Sequence, residues 1–308
     1  MIAIVCPGQG AQSPAFFSPW LELEAFRSTI EHLAEASGVD LIKHGTVSDA
    51  DTIRDTAIAQ PLIVSAGIAS AAALLDGVSP ADSGIFGVAG HSVGEITAAA
   101  ISGVLSNSDA MKFVTRRGNE MAAAAAIETT SMAAVVGGAE ADVLEKLAQL
   151  GLEPANFNGG GQIVAAGSAE AIEQLKHEPP TASRVIALQV AGAFHTRFMK
   201  PAVTGLQSFA DELSASDPSL KLWTNATGKT ISSGDEFLKL MVNQVSSPVR
   251  WDLCMAEMVA AGVTALIELS PAGTLVGLAK RSMPGVETVA VKTPENIDAA
   301  LSLINNHR

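Results

Sequence analysis

The sequence predicts an α/β fold, in which a large domain with a parallel sheet covered by helices carries an inserted small ferredoxin-like α+β subdomain. In the first 120 residues, short apolar runs alternate with segments of helix length, which is typical of such a sheet. From about Ser131 the pattern changes to a β-α-β-β-α-β order, which indicates a ferredoxin-like unit. A chain of 308 residues, 48% of them hydrophobic, can bury one large core or two modest ones. We expect the large domain at 1–127 and 192–308 and the subdomain at 128–191.

The N-terminal part of the large domain supplies the first predicted elements. Ile2 to Cys6 is predicted as a core strand, and Ile85 to Ala89 as a second strand that leads into a helix after Ser92. Gln60-Pro61 is predicted to open an Ala-rich helix, because proline is favoured in a first helical turn. That helix is apolar nearly all round, so we expect it to lie buried beside the sheet.

The later elements follow from the same alternation. In the predicted subdomain, the order is strand Met132 to Val136, helix Ala139 to Leu150, strands Glu153 to Phe157 and Gln162 to Ala166, helix Ala169 to His177, and strand Arg184 to Val190. Two late strands, Thr264 to Leu269 and Glu287 to Val291, are predicted to complete the large domain.

Composition excludes several classes of function. Nineteen basic and 32 acidic residues give a net charge of −13, which argues against nucleic acid or an anionic membrane surface as the main partner. The longest apolar stretch, Leu62 to Leu75, is shorter than the roughly 18 residues of a membrane span, and no leader peptide is expected. Cys6 and Cys254 have no metal-ligand or redox spacing, so we expect a cytoplasmic protein without a bound metal.

The most informative motif is Gly90-His91-Ser92-Val93-Gly94. It lies between a predicted strand and a predicted helix, where small glycines permit the sharp turn that presents a serine nucleophile. The helix after Ser92 directs its free N–H groups and positive dipole end at the same place. This context predicts Ser92 as the nucleophile of an acyl-transferring enzyme.

A serine nucleophile needs a base, and His195 is the best of six histidines. It follows a strand and a run of small residues, which suits a side chain directed into a cleft. His91 is expected to point away from Ser92 and to have a packing role, not a catalytic one. Neither Glu268 nor Asp252 has a motif that makes it a catalytic acid, so we nominate none; a backbone carbonyl can orient the imidazole instead.

Two backbone N–H groups are candidates for an oxyanion hole. Val93 directly follows the nucleophile, and Gln9 lies in a Gly-rich loop after the first strand. A phosphate-binding loop is a weaker alternative for this segment, because the required Gly-Lys-Ser/Thr or Gly-x-Gly-x-x-Gly spacing is missing, and a purely structural turn is another.

A carboxylate receptor is suggested by Arg116 and Arg117 on one predicted helix. Helix arginines are usually solvated or salt-bridged. If one of the pair faces the cleft, its planar fork binds a carboxylate, contributing roughly 1.5–3 kcal/mol. The spacing alone leaves open which of the two does so.

Several further motifs occur in order along almost the whole chain. They are Gly8-Gln9-Gly10-Ala11-Gln12, Gln60-Pro61, Gly90 to Glu95, Arg117-Gly118 with Met121, Asn156-Phe157-Asn158 with Gln162, Gly192 to His195, Asn243-Gln244 and Pro248 to Trp251. Together these motifs resemble the malonyl-CoA:acyl carrier protein transacylases of bacterial fatty acid synthesis and, more loosely, the acyltransferase domains of polyketide synthases.

The resemblance implies an α/β-hydrolase-like large domain and a role for each matching residue. Ser92 is the implied nucleophile, His195 the base, and the N–H groups of Gln9 and Val93 the oxyanion hole. Arg117 rather than Arg116 is implied to hold the malonyl carboxylate, with main-chain carbonyls near Gln244 orienting His195. The other implied substrate-binding residues are Gln60, Met121, Asn158, Phe194 and Gln244.

The resemblance also implies substrates and partners. Malonyl-CoA is the implied donor and the phosphopantetheine thiol of an acyl carrier protein the acceptor, in a ping-pong reaction without a permanently bound cofactor, catalysed by a monomer. Phe194 matches a malonyl-type pattern. The chain departs from the family at Ala122, at Gly159-Gly160 and at Ser270 to Gly273, which puts the fine shape of the pocket in doubt.

Docking of an acidic carrier onto an acidic enzyme requires a local basic patch. The candidates are Lys112, Arg116, Lys200, Lys280 and Arg281.

Two alternative functions assign different roles to the residues of the predicted site. One is an esterase or thioesterase with water as acceptor, which Arg117 and the inserted subdomain disfavour; the other is a noncatalytic acyl-CoA or partner-binding module, which the joint presence of Ser92 and His195 disfavours.

Overall fold

The computed structural model describes residues 1–190 and 192–307, whose strands form two sheets. The predicted α/β class is correct: a mainly parallel sheet and a mainly antiparallel sheet are both covered by helices. The boundaries of the two predicted domains stay a prediction, and the one placed at residue 191 lies outside the described residues.

The first sheet contains six strands in the order β11-β10-β1-β2-β7-β8. All neighbours are parallel except β7 and β8, so each parallel pair requires a crossover helix. Both cysteines of the chain flank this sheet, Cys6 at the end of β1 and Cys254 on a helix beside it, and both are buried and free. The strands are β1 Ile2–Cys6, β2 Ile85–Gly90, β7 Lys221–Trp223, β8 Thr230–Ile231, β10 Ala265–Glu268 and β11 Glu287–Ala290.

Helices cover both sheets. They are α1 Glu24–Ser37, α2 Leu41–Thr46, α3 Thr56–Leu75, α4 Gly94–Ser102, α5 Asn107–Ala125, α6 Glu140–Gln149, α7 Ala169–His177, α8 Lys200–Ala210, α9 Gly234–Gln244, α10 Trp251–Ala260, α11 Thr274–Ser282 and α12 Ile297–Asn306. The largest apolar core lies between the six-stranded sheet and a layer that includes α1, α3, α4 and α5.

Helix α3 is buried as predicted, but it begins earlier than predicted. Asp55 caps it by accepting a hydrogen bond from the N–H of Ala57, so the helix starts at Thr56 and Pro61 lies inside it. By length and composition α3 is apolar enough to cross a membrane, yet 78% of its most apolar window is buried within the protein. It is therefore a core helix that brings Gln60 beneath the site described below.

The second sheet contains five strands in the order β6-β3-β5-β4-β9. Its first four strands alternate with α6 and α7 in the β-α-β-β-α-β order expected of a ferredoxin-like unit. The last of them ends at Ala187 instead of at the predicted Val190. Leu188 still donates one backbone hydrogen bond to Met132, and the chain then leaves the sheet, where Leu188 and Val190 line the cavity described below. These strands are β3 Thr130–Gly137, β4 Glu153–Gly159, β5 Gln162–Ser168, β6 Ser183–Ala187 and β9 Val249–Arg250.

Strand β9 joins the two parts of the molecule. It pairs in parallel with β4, where Asn156 lies opposite Val249, although it is remote from the rest of that sheet in sequence. Its Arg250 N–H also donates to the carbonyl of Asn225, which follows β7 of the other sheet. The sequence did not predict β7, β8 or β9, because strands of two or three residues are too short to show a period.

Candidate active site

Ser92 lies in a tight turn between β2 and α4. Its φ of 53° falls in the left-handed region, which non-glycine residues adopt only at a cost of about 1–2 kcal/mol. The glycines on either side allow the turn: a Cβ on Gly90 would lie 1.9 Å from the backbone of Gly94, and a Cβ on Gly94 would lie 2.1 Å from the carbonyl oxygen of Cys6. The turn therefore has the strand-to-helix geometry that the motif predicts.

His195 contacts the serine directly. Its Nε2 lies 2.7 Å from Ser92 Oγ, and its Nδ1 lies 2.8 Å from the main-chain oxygen of Gln244. Because a carbonyl only accepts hydrogen bonds, Nδ1 carries the proton and the Nε2 lone pair faces the serine hydroxyl. This pair of contacts orients the ring without a carboxylate.

The environment of His195 favours the neutral imidazole. Burial, and after it the positive charge of Arg117, lower the pKa of His195 to about 3. A neutral ring can accept the proton of Ser92 at any pH well above that value.

Arg117 reaches the same hydroxyl from α5. Its side chain is buried, Nη2 lies 3.4 Å from Ser92 Oγ and 2.9 Å from Gln244 Oε1, and Nη1 lies 2.7 Å from Gln60 Oε1. Burial lowers its pKa to about 10, so it remains charged at neutral pH. Arg116 instead pairs with Glu120 on the exposed side of the helix.

Seven of the ten predicted site residues line one small cavity of about 80 Å³ at Ser92. The cavity is bounded by Gln9, Gln60, His91, Ser92, Arg117, Met121, Met132, Asn156, Leu188, Val190, Phe194 and His195. Val93, Asn158 and Gln244 adjoin it without lining it. Asn158 Oδ1 lies 2.9 Å from His91 Nε2, so its contact with the site runs through His91. The ring of His91, predicted to pack, lies edge-on to Trp251 and also bounds the cavity.

The loop that carries Gln9 lies against the serine turn. A Cβ on Gly8 would lie 2.8 Å from the carbonyl oxygen of His91, which shows how closely the two backbones approach. The Gln9 side chain lies near Thr56 Oγ1 at the start of α3. Within residues 1–190 and 192–307, the backbone N–H groups of Gln9 and Val93 donate no hydrogen bond to the protein. Both therefore remain available to a bound group.

Two buried polar residues behind the serine were not singled out from the sequence. Asn225 Oδ1 accepts the N–H of Ser92 at 2.8 Å, and its Nδ2 donates to the carbonyl of Gly90 at 2.7 Å. Glu95 accepts the N–H of Asn225 and an N–H of Gln244, each at 2.6 Å. Glu95 could have been recognised in the sequence as a charged residue in the otherwise apolar first helical turn after the motif. No comparable sequence feature marks Asn225.

The two acidic residues considered as catalytic acids, Glu268 and Asp252, bind groups other than His195. Glu268 accepts hydrogen bonds from the N–H groups of Gly273, Leu275 and Val276 at the start of α11. Asp252 pairs with Arg250. In the part of the chain that the structure describes, no three His, Cys, Asp or Glu side chains come together as a metal site.

Comparison with known proteins gives a consistent result over the full length. Residues 3–294 match the family model described as "Acyl transferase domain". The chain is 46% identical to the malonyl CoA-acyl carrier protein transacylase of Mycobacterium tuberculosis over 303 residues, covering 98% of this chain and 100% of that protein. It is 31% identical to the Escherichia coli protein of the same name, covering 98% and 99%.

Solved structures agree with the sequence comparison. The crystal structure of MCAT from Mycobacterium tuberculosis superposes with a TM-score of 0.93 at 46% identity, covering 98% of this chain and 99% of that one. A malonyl-transacylase in complex with its type II PKS acyl-carrier protein superposes with a TM-score of 0.91 at 26% identity, covering 98% and 99%.

Proposed function

The chain belongs to the acyl transferase domain family of malonyl CoA-acyl carrier protein transacylases, and we propose that it transfers the malonyl group through an ester on Ser92. The chain is an acyltransferase. The observation that carries the proposal is the position of Ser92 Oγ, 2.7 Å from a neutral histidine nitrogen and 3.4 Å from the buried guanidinium of Arg117. This arrangement supports roles for Ser92 as nucleophile, His195 as base and Arg117 as carboxylate receptor.

In the first half-reaction, His195 Nε2 takes the proton of Ser92 Oγ as the oxygen attacks the thioester carbonyl of malonyl-CoA. The negative charge of the tetrahedral intermediate falls on the former carbonyl oxygen, where the N–H groups of Gln9 and Val93 stabilise it. The carbon–sulfur bond then breaks, and the imidazolium returns its proton to the sulfur of CoA. Ser92 is left as the malonyl ester.

The second half-reaction uses the same groups in the same order. The phosphopantetheine thiol of an acyl carrier protein gives its proton to His195 and attacks the ester carbonyl. The carbon–oxygen bond to Ser92 breaks, and Ser92 recovers its proton from the imidazolium. The phosphopantetheine thiol arrives with the carrier, and the enzyme contributes its own side chains and backbone N–H groups.

Selection of a malonyl group depends on Arg117. Its hydrogen bonds to Gln60, Gln244 and Ser92 use three of its five N–H donors. The others, together with the donor released when Ser92 becomes an ester, can bind the free carboxylate of the malonyl group. Phe194 bounds the same cavity, and we propose that its ring disfavours groups with an α-methyl branch.

We propose that the carrier docks on basic residues near the cavity. Of the five candidates, Lys112 and Arg116 pair with Asp109 and Glu120 on the exposed side of α5. Lys280 and Arg281 lie in the last turn of α11, and Lys200 begins α8 next to Arg197. A carrier with an acidic face should lose affinity as these charges are removed, and more so at low ionic strength.

Intact-mass measurement tests the proposal. After incubation with malonyl-CoA, we expect a malonyl adduct in the native chain and none in Ser92→Ala. On addition of an acyl carrier protein bearing phosphopantetheine, the adduct should move to the carrier. Loss of the adduct as free malonate at the same rate with and without carrier would make the chain a hydrolase, and the absence of any adduct would exclude both reactions.

A further inference from the structure

A buried glutamate behind the serine turn contacts none of the reacting groups directly. Glu95 lies in the first turn of α4 and is 1% exposed. Burial of a carboxyl costs free energy unless its oxygens are satisfied, and here both accept N–H groups at 2.6 Å, one from the Asn225 backbone and one from the Gln244 side chain. Its two partners are the residues that hold Arg117 and Ser92.

The first connection runs to Arg117. The Gln244 amide donates from Nε2 to Glu95 and accepts at Oε1 from Arg117 Nη2, at 2.6 and 2.9 Å. If this amide were rotated by half a turn, its NH₂ would face the guanidinium, and two donors would oppose each other. Above its raised pKa of about 8, the ionised Glu95 carboxylate offers only acceptors, so it selects the orientation in which the Gln244 oxygen faces Arg117.

The second connection runs to Ser92. Asn225 accepts the N–H of Ser92 and donates to the carbonyl of Gly90, so it binds both ends of the strained turn. Glu95 in turn accepts the backbone N–H of Asn225. Since the Ser92 backbone has a left-handed φ, hydrogen bonds of this kind are needed to keep its hydroxyl in place.

We propose that Glu95 is a positioning residue for acyl selection: through Gln244 it fixes the guanidinium of Arg117 toward the substrate carboxylate, and through Asn225 it fixes the Ser92 turn. This inference rests on the proposed function, because it assigns a source to the preference for malonyl over uncharged acyl groups. The connection to Arg117 affects substrates with a free carboxylate more than uncharged ones, whereas the connection to Ser92 affects all substrates alike.

Glu95→Gln separates these effects, because a carboxamide has one acceptor oxygen and cannot satisfy both N–H donors. Burial raises the pKa of Glu95 to about 8, so Ser92 acylation by malonyl-CoA and by acetyl-CoA is compared at pH 9, where the native carboxyl is ionised. We expect the malonyl-to-acetyl ratio of kcat/KM to fall about tenfold, the loss expected for one charged hydrogen bond. In an Arg117→Ala background, the same change should leave the ratio unaltered.

Glu268→Gln is the matched control. Glu268 is an equally buried glutamate that accepts backbone N–H groups at the start of α11 and does not line the cavity at Ser92. It should lower the melting temperature without changing the malonyl-to-acetyl ratio. A similar loss of ratio in Glu268→Gln would show that general destabilisation is sufficient, and would overturn the proposal.

A second variant keeps the test decisive if Glu95→Gln does not fold. Gln244→Met removes the side-chain hydrogen bonds of Gln244 to Arg117, Glu95, Asn225 and the main-chain oxygen of Ser92. It keeps the main-chain oxygen that orients His195, so the malonyl-to-acetyl ratio should fall as in Glu95→Gln, together with some activity toward both substrates. Equal losses with malonyl and acetyl groups in either variant, or an unchanged ratio in Gln244→Met, would refute the role of Glu95 while leaving malonyl transfer by the native chain intact. Failure of the native chain itself to form a malonyl adduct would refute the proposed function instead.

Discussion

The hydroxyl of Ser92 contacts two groups of opposite chemical character. His195 Nε2 accepts its proton at 2.7 Å, and the Arg117 guanidinium lies 3.4 Å away with a positive charge. The charge of Arg117 has a second effect, because it disfavours the imidazolium and so helps to lower the pKa of His195. Under the proposed roles, Arg117 therefore couples substrate recognition to the base strength of His195.

Replacement of Arg117 by alanine should remove most of the discrimination between malonyl and acetyl groups. The guanidinium is buried and holds N–H donors in reach of the acyl group, and a charged hydrogen bond contributes about 1.5–3 kcal/mol. We expect the malonyl-to-acetyl ratio of kcat/KM for Ser92 acylation to fall by about 10- to 100-fold. Arg116 lies on the exposed side of α5, so Arg116→Ala is the control and should leave the malonyl-to-acetyl ratio of kcat/KM unchanged.

The pH profile of acylation should lack the inflection near pH 6.5 that an unperturbed histidine gives. Burial and the Arg117 charge lower the pKa of His195 to about 3, so the base is already neutral between pH 5 and 7. We expect kcat/KM for acetyl-CoA to be constant over this range in the native chain. In Arg117→Ala, the acid-side inflection should move to higher pH, because the Arg117 charge no longer lowers the pKa of His195. An inflection between pH 6 and 7 in the native chain would contradict this account.

At the residue scale, the sequence was informative where a motif combines several constraints. Ser92 was predictable because glycines, a strand and a helix surround it, and the structure places it beside His195. Asn225 was not predictable, because its role depends on contacts with Ser92 and Gly90, which lie more than a hundred positions away in the sequence. The distinction between Arg116 and Arg117 depends on the rotation of α5, which the resemblance supplied and the spacing did not.

At the scale of elements, the turn between β2 and α4 is the least tolerant of change. Gly90→Ala should destabilise the protein by about 1–3 kcal/mol or more, because the added methyl would meet the backbone of Gly94 at 1.9 Å. Chemical denaturation measures this change. Gly277→Ala in α11 is the matched control: its Cβ would meet nothing within 4 Å, and a helix gains up to about 1 kcal/mol from alanine in place of glycine. Equal effects of the two substitutions would contradict the assigned close contact.

Longer elements were predictable from periodicity, and their ends were less so. The alternating strands and helices from β3 to β6 occur in the expected order, because each carries its own apolar face. The start of α3 was misplaced because Pro61 gave a stronger signal than the Asp55 cap five residues before the predicted Gln60. Strand β9 was not predicted, because its two residues form a strand only by pairing with β4 and show no hydrophobic pattern of their own.

At the scale of the whole molecule, the two sheets should unfold together. Strand β9 pairs with β4 of one sheet and bonds to the residue after β7 of the other, so neither sheet loses its structure without disturbing its neighbour. We expect a single transition in scanning calorimetry, with agreement between the calorimetric and van't Hoff enthalpies. Two resolved transitions would show that the sheets are independent units.

The buried cysteines have a practical consequence for following the reaction. Cys6 and Cys254 are inaccessible, and burial raises the pKa of both thiols, so neither forms the reactive thiolate at neutral pH. A chromogenic thiol reagent added to the folded enzyme should therefore report only the CoA set free by acylation of Ser92. The first turnover can then be recorded as an optical burst whose amplitude counts active sites.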